Sequence, residues 1–385
     1  MRVVALCLAL AAAAGAAGDA EDLAMVQKTD VFVAGQDGYH TYRIPSLIVT
    51  AKGTVLALCE GRKGGRGDAG DIDLVLKRST DGGKTWGPMQ TVWDDAANTC
   101  GNPCPVVDAS TGTVWLLVTW NLGADTEAAI TAGTSKDTRR VFVTHSADDG
   151  ATWAAPADVT AAAKRPEWSW YATGPGVGIQ LGLGPHKGRL VIPCDHAATY
   201  PDHRFASHVI FSDDGGKTWT LGGVARPACN ECQVIERADG SLLLNMRSYA
   251  GKGCRAVATS ADGGRTWSDV SHDAALIEPV CQASLIRYTP ADAAGRSVVL
   301  FSNPASAKAR VAMTVRASLD DGRTWAASKV IDPGPSAYSC LAVLPGGDVG
   351  CLYEGGSKNP YERITLARFP LAHLTGDASA PPAAR

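Results

Sequence analysis

Ser79-Thr80-Asp81-Gly82-Gly83-Lys84-Thr85-Trp86 is the first of five copies of one pattern, S-x-D-x-G-x-T-W. The others run from Ser146, Ser212, Ser260 and Ser318 to Trp153, Trp219, Trp267 and Trp325, so successive starts lie 67, 66, 48 and 58 residues apart. A unit repeated at such intervals points to a propeller or a solenoid. Each copy carries D-G or G-G in its middle, which marks a tight hairpin turn. A short alternating run precedes each one, as at Leu74-Val75-Leu76 and Val141-Phe142-Val143, and reads as a strand entering that hairpin.

Two further segments repeat in step with these boxes. One opens on a polar residue and continues as a buried strand; its copies start at Arg43, Asn102, Gly174, Glu231, Gln282 and Tyr338. The other follows a glycine-containing turn and occupies 54–62, 113–121, 189–196, 241–247, 297–304 and 348–354. The third strand runs into the box, and 364–369 is its sixth version, without a box. A fourth strand is expected after each box, for example 89–93. Six four-stranded units closed in a ring make an all-β, six-bladed propeller, which protects sheet edges by radial repetition. The sixth unit lacks a fourth strand downstream, and 30–34 is expected to supply it.

Antiparallel order then places the chemistry. The starts of first strands and the ends of second strands share one face, which gathers Arg43, Asn102, Glu231, Gln282 and Tyr338 with Glu60, Arg62, Asp195, Arg247 and Glu354. Loops before third strands bring Asp68, Arg204 and Arg310 to the same side, while the boxes turn on the opposite rim.

Composition limits the partners. A net charge of −3 gives no general basic field for nucleic acid. No stretch beyond the N-terminus is long and apolar enough for a stable membrane span. Residues 1–18 read as a secretory signal peptide with cleavage near Ala16–Gly18, which implies a secreted or periplasmic protein. Residues 19–376 then form the propeller, and the Ala/Pro-rich tail 377–385 is expected to be frayed. Cys229-x-x-Cys232 and Cys100-x3-Cys104 are the only close cysteine pairs; the spacing does not make a zinc site, and most of the others sit in apolar runs as buried thiols. No motif calls for a metal or a cofactor, and the oligomeric state is left open.

Arg43, Arg247 and Arg310 come from different blades yet meet at one mouth. Guanidinium groups so placed repel one another unless an anion lies between them, and their bidentate geometry suits a carboxylate. At this point the chain resembles the exo-sialidases of the bacterial and animal type. The likeness runs through nearly all of residues 19–376: Tyr42-Arg43-Ile44-Pro45, Glu60-Gly61-Arg62 with Asp68 six residues on, Gly101-Asn102-Pro103, Asn230-Glu231-Cys232, Asn245-Met246-Arg247, Tyr338-Ser339-Cys340 and Leu352-Tyr353-Glu354, with the boxes throughout. Boxes alone are weak, since non-enzymatic propellers carry them; the ordered set is specific.

The resemblance implies a role for each residue. Arg43, Arg247 and Arg310 would clamp the carboxylate of a sialic acid, and Glu354 would orient Arg43. Tyr338 would be the nucleophile, Glu231 its base, and Asp68 the acid/base; Asp71 and Asp73 lie close by, and only spacing separates them from Asp68. Arg62 and Asn102 are expected at the sugar, with Gln282, Trp120 and Trp170 as further lining. A tyrosine nucleophile is the recognised exception to the two-carboxylate rule of glycosidases. It suits a substrate whose anomeric carbon already bears a carboxylate, because a neutral phenol approaches without repulsion and is deprotonated as it attacks. A free phenol, with a pKa of about 10, is almost wholly protonated at neutral pH and needs that base. Two inversions then give net retention.

Hydrolysis of terminal sialic acids from glycans, glycoproteins or glycolipids is therefore the expected activity. A sialoglycan-binding propeller without turnover needs only the arginines. A trans-sialidase needs an aromatic acceptor platform, for which Trp168, Trp170 and Tyr171 are the candidates. Linkage and N-acyl preference are not readable.

Overall fold

The computed structural model describes residues 25–198, 204–289 and 297–376. The expected signal peptide and C-terminal tail lie outside them. Six antiparallel blades follow one another round an axis. The first has strands Thr41–Val49, Val55–Arg62, Ile72–Ser79 and Gln90–Trp93, and the second Thr99–Val107, Val114–Asn121, Arg140–Ser146 and Ala157–Asp158. The fourth blade is Cys229–Glu236, Leu242–Ser248, Cys254–Ser260 and Ser271–Ile277. The ring closes as the repeats imply: Gln27–Val33 pairs antiparallel with Arg363–Pro370, with Asp30 opposite Thr365 and Phe32 opposite Ile364. One long strand, Ala327–Val343, serves the fifth blade with its first half and the sixth with its second.

The boxes hold this ring together, and the first shows how. Ser79 Oγ donates to Asp81 Oδ1 (2.7 Å) and accepts from the Gly83 amide (2.8 Å), while Asp81 accepts from the backbone N–H and hydroxyl of Thr85. The same pattern recurs from Ser146, Ser212, Ser260 and Ser318. Gly83 sits at φ 81°, and a Cβ there would lie 2.6 Å from Leu366 of the sixth blade. The equivalent glycines 150, 216, 264 and 322 press on Leu56, Trp115, Val209 and Leu243, each on the blade before. The turn thus demands glycine for its backbone and again for its fit against the neighbour. The box tryptophans fill the apolar clusters between blades.

A prediction follows for acid stability. Hydrogen bonds from Thr152 hold the Asp148 carboxyl down at about 2. A carboxyl whose pKa is lowered on folding adds stability above its unfolded value, about 4, and loses it as pH falls through the folded value. Asp148→Asn is therefore expected to lower the melting temperature at pH 7, and the gap to the parent should close between pH 4 and pH 2 in thermal scans.

Two elements differ from the sequence reading. The third blade's first strand, expected through 174–180, is broken into Tyr171–Thr173 and Ile179–Gln180. Glycines 174, 176 and 178 let it leave the sheet: Gly176 is packed against Gln233, and Gly178 lies on Ile192 and Val106. A short helix, Glu127–Ala132, also stands between the second and third strands of the second blade, with the Thr126 hydroxyl accepting from the Ala129 amide and Gly133 closing it in the left-handed conformation.

Around the axis the first strands are cross-tied. Gln282 Nε2 donates to the carbonyls of Pro175 and Ser339 (both 3.0 Å), Gln233 Nε2 donates to Pro175 O, and Ser46 Oγ to Gly176 O. Gln282 is accordingly a buried tie of the ring, not part of the pocket wall as its register suggested. All ten cysteines among the described residues are unpaired and buried. No helix among the described residues is long and apolar enough to cross a membrane.

Candidate active site

The starts of the first strands are bent by bulges. The register shifts between Arg43 and Ser46 and between Gly101 and Cys104, and Ile44 and Asn102 take φ values of 61° and 52°. A β-branched residue in this region is strained, and such strain persists only when its surroundings hold it. Here a carboxylate from the preceding blade does so: Glu354 Oε1 accepts from the Ile44 amide (2.9 Å), and Glu60 Oε1 accepts from the Asn102 amide (2.9 Å). The bulges turn Arg43 and Asn102 into a common pocket, which Arg62, Asp68, Glu231, Arg247, Arg310 and Tyr338 also line. A separate apolar cavity lies at the opposite ends of the same strands, between Leu47, Ile235, Ile286 and Ala342.

At the pocket floor Tyr338 Oη donates to Glu231 Oε1 (2.6 Å), and Arg247 Nη1 donates to both Glu231 Oε2 (2.8 Å) and Tyr338 Oη (3.1 Å). Burial raises the phenol pKa well above its ordinary value, and the Glu231 charge adds to this; Arg247 and Arg43 oppose it without prevailing. The resting phenol is therefore neutral. Arg43 Nε donates to Glu354 Oε1 (2.7 Å), and Glu354 Oε2 accepts from the Tyr338 amide (3.1 Å), so one carboxylate fixes both residues. The guanidinium of Arg43 lies 5.1 Å from the Tyr338 ring centroid and that of Arg310 lies 5.5 Å from it.

Asp68 stands apart from this group, at the rim. Its side chain is 56% exposed, and Oδ1 is 2.8 Å from Arg62 Nη1 and 3.8 Å from Arg43 Nη1. Burial works to raise its pKa, but the two guanidinium charges outweigh it and hold the carboxyl below the usual range. Arg62 is fixed in turn by Glu60 and by the carbonyls of Arg66 and Gly67, so it organises the loop that carries Asp68. The neighbouring acids face elsewhere: Asp71 and Asp73 both pair with Lys63, and Asp73 also accepts from Tyr39 Oη. Of the three acids, Asp68 is the one that lines the pocket.

Comparisons with known proteins address the family. Residues 53–351 match the BNR repeat-like domain. The chain is 34% identical over 369 residues to an exo-alpha-sialidase of Aspergillus fumigatus, with 88% of this chain and 86% of that protein covered. It is 31% identical to human Sialidase-3, with 89% and 92% covered. The chain belongs to the sialidase family of glycoside hydrolases. A sialidase of Micromonospora viridifaciens is 38% identical, with 88% of this chain covered; the chain spans about half (53%) of that longer protein and 61% of a Bacteroides fragilis sialidase. Among solved structures, a Hadza microbial sialidase superposes with a TM-score of 0.80 at 36% identity, covering 90% of this chain and 69% of its own. A Ruminococcus gnavus intramolecular trans-sialidase shares the fold, with a TM-score of 0.77 at 23% identity and 92% and 99% covered.

Several residues at or beside this pocket escaped the sequence reading or were given no role by it. Tyr361 accepts no attention from any motif, yet its hydroxyl receives a bond from Arg310 Nη1 (2.9 Å) and its ring lies 4.4 Å from the Arg43 guanidinium. Arg139 is buried, bonds to the side-chain oxygens of Asn121 and Asn102, and lies 4.1 Å from the Trp170 ring. Glu127, from the short helix, lines the pocket, and burial followed by the charge of Asp68 raises its carboxyl pKa. Asp195 was placed at the mouth by register without a role; it is fully buried and accepts from Asn230 Nδ2 (2.7 Å), and burial with the Glu231 charge raises its pKa well above the ordinary range. Two expected lining residues divide: Trp170 lines the pocket, but Trp120 turns away to donate to Asp95 (2.7 Å). Trp168 and Tyr171 are packed in the third blade's core, with Trp168 stacked on His196, so neither offers a platform.

Proposed function

We propose that this chain is a retaining exo-α-sialidase acting on terminal sialic acids through a tyrosyl intermediate. The observation that carries this is the hydrogen-bonded Glu231, Tyr338 and Arg247 group beside Arg43 and Arg310, with Asp68 across the pocket. The arginines receive the substrate carboxylate, with Glu354 and Tyr361 steadying two of them. As Tyr338 Oη attacks the anomeric carbon, its proton passes to Glu231. Asp68 protonates the departing glycosidic oxygen and later deprotonates the water that releases the sugar. A sialoglycan-binding protein would have no use for the phenol–carboxylate bond. Of the three aromatic residues suggested as an acceptor platform for transfer to a sugar, Trp168 and Tyr171 are in the core and only Trp170 reaches the pocket. Export is part of the proposal, and N-terminal sequencing of the secreted protein tests it.

The experiment is a product assay on α2,3- and α2,6-sialyllactose, followed by NMR. Release of sialic acid as the α-anomer first supports the proposal; release of the β-anomer first, or no release from either, overturns it. Arg247→Ala is expected to weaken binding of a 2,3-dehydro sialic acid analogue about 10- to 100-fold, the scale of a lost charge-assisted contact, by titration calorimetry. Unchanged affinity removes Arg247 from the clamp.

A further inference from the structure

We propose that Lys63 is a positioning residue: with Asp71, Asp73 and Asp94 it clasps the base of the loop that carries Asp68. This rests on the sialidase reading, because it takes Asp68 as the proton donor. The loop leaves the strand Val55–Arg62 and returns in Ile72–Ser79. In that pairing Arg62 stands opposite Ile72, and Gly61 opposite Asp73. Side chains alternate between the faces of a strand, so Arg62 points to one face and Lys63 to the other, together with Asp71 and Asp73. On the pocket face Arg62 holds Asp68 and the carbonyls of Arg66 and Gly67. On the other face Lys63 Nζ lies 2.9 Å from Asp71 Oδ1, 3.0 Å from Asp73 Oδ2 and 3.6 Å from Asp94 Oδ2. The Lys63 amide also donates to Asp71 O (3.1 Å), which draws the two ends of the loop together.

Packing does not shape this loop. A Cβ at Gly64, Gly65 or Gly70 would meet nothing within 4 Å, and Asp68 itself is exposed. Polar ties set its course instead, at Arg62, at Gly70 through Thr99 Oγ1 (3.2 and 2.9 Å), and at Lys63. The partners of Lys63 differ in kind. Asp73 is buried and accepts from Tyr39 Oη (2.5 Å), and Asp94 follows the blade's outer strand Gln90–Trp93, so both belong to the scaffold. Asp71 belongs to the loop. One ammonium therefore joins a loop carboxylate to two scaffold carboxylates. Without it three like charges face one another, and their repulsion drives Asp71 away from the anchor and Asp68 out of place.

The test assays Lys63→Met in the full chain on 3′-sialyllactose and on a nitrophenyl sialoside, which needs little help from an acid. For sialyllactose kcat/KM is expected to fall about 10- to 100-fold, chiefly through kcat, the scale of a misplaced catalytic group, while the nitrophenyl sialoside stays within about threefold. Lys63→Arg keeps the charge and should match the parent on both. Adding Asp71→Asn to Lys63→Met removes the repulsion and should recover most of the sialyllactose loss. Hydrogen exchange across residues 62–73, read by mass spectrometry, should be faster in Lys63→Met and parental in Lys63→Arg. Melting temperatures of the three variants tell loss of fold from loss of position. Equal losses on both substrates, no loss on either, or unchanged exchange overturn the assignment. If the parent cleaves neither substrate, the proposed activity falls, and the exchange comparison alone still decides whether Lys63 holds the loop.

Discussion

Tyr338→Phe is expected to lower turnover of sialyllactose and aryl sialosides by at least about 10³-fold, a loss of about 4 kcal/mol in transition-state stabilisation. Affinity for the 2,3-dehydro analogue should stay within about threefold. The two numbers part because the phenol does two separable things. Its ring packs among Ile44, Cys281 and Ala337 and beside the arginines, and phenylalanine keeps that shape. Its oxygen alone carries the bond to Glu231 at 2.6 Å and the contact with Arg247 at 3.1 Å. In the resting site the negative charge of this pair lies on Glu231. Proton transfer moves it to the phenol oxygen, and the same Arg247 nitrogen already touches both positions, so the charge shifts without leaving its counterion. Burial, which keeps the phenol neutral at rest, then excludes water that would otherwise compete for the proton. Glu231→Gln should show a comparable loss, since an amide occupies the same space and accepts no proton. Near-normal turnover in Tyr338→Phe, measured under saturating substrate, would remove the tyrosine from the nucleophilic role.

What could be read from the amino acids alone was whatever depends on local turn chemistry or strand register. The boxes specify their own hydrogen bonds within eight residues, so Ser79 to Trp86 announces a blade without knowledge of its neighbours. Register then carried Arg43, Glu231, Arg247 and Tyr338 to one mouth, because antiparallel strands return their ends to the same face. Residues that reach the pocket by other routes were not legible. Arg139 and Arg140 stand side by side at the start of a strand; one enters the pocket wall and the other pairs with Asp137 near the surface, and sequence offers no means of choosing. Tyr361 arrives from a loop with no repeat to align it. The run Trp168-Ser169-Trp170-Tyr171 offered three candidates for an aromatic platform, but Trp168 and Tyr171 are turned into the core and only Trp170 reaches the pocket. The helix had a readable signal in Thr126, Glu127 and Gly133, a cap, an acidic first turn and a stop; six residues within an all-β repeat left no periodicity to support it.

Asp68→Ala should separate substrates by how much help their leaving group needs. For sialyllactose, whose departing alkoxide is strongly basic, kcat/KM is expected to fall about 10²- to 10⁴-fold, the usual scale of lost general acid catalysis. For a nitrophenyl sialoside the fall should be at least tenfold smaller, because the leaving phenolate departs without protonation. By itself Asp68 is an unpromising acid, held ionised by Arg62 at 2.8 Å and Arg43 at 3.8 Å. The substrate changes that balance. A carboxylate seated on Arg43 brings a negative charge that offsets the guanidinium field at Asp68, and this raises the Asp68 pKa towards protonation. The acid is thereby made available by the anion it serves, and a neutral analogue lacking the carboxylate should not raise it. Glu127 is the competing donor at the same rim, with a carboxyl already raised by burial. If Glu127→Gln, rather than Asp68→Ala, discriminates between the two leaving groups, the proton comes from the helix and Asp68 only guards the arginines. If Asp68→Ala lowers both substrates equally, its part in the site is electrostatic and not proton transfer. The steeper loss for sialyllactose in Asp68→Ala alone is the result the geometry calls for, since among the described carboxylates Asp68 is the one paired with both Arg62 and Arg43 of the clamp.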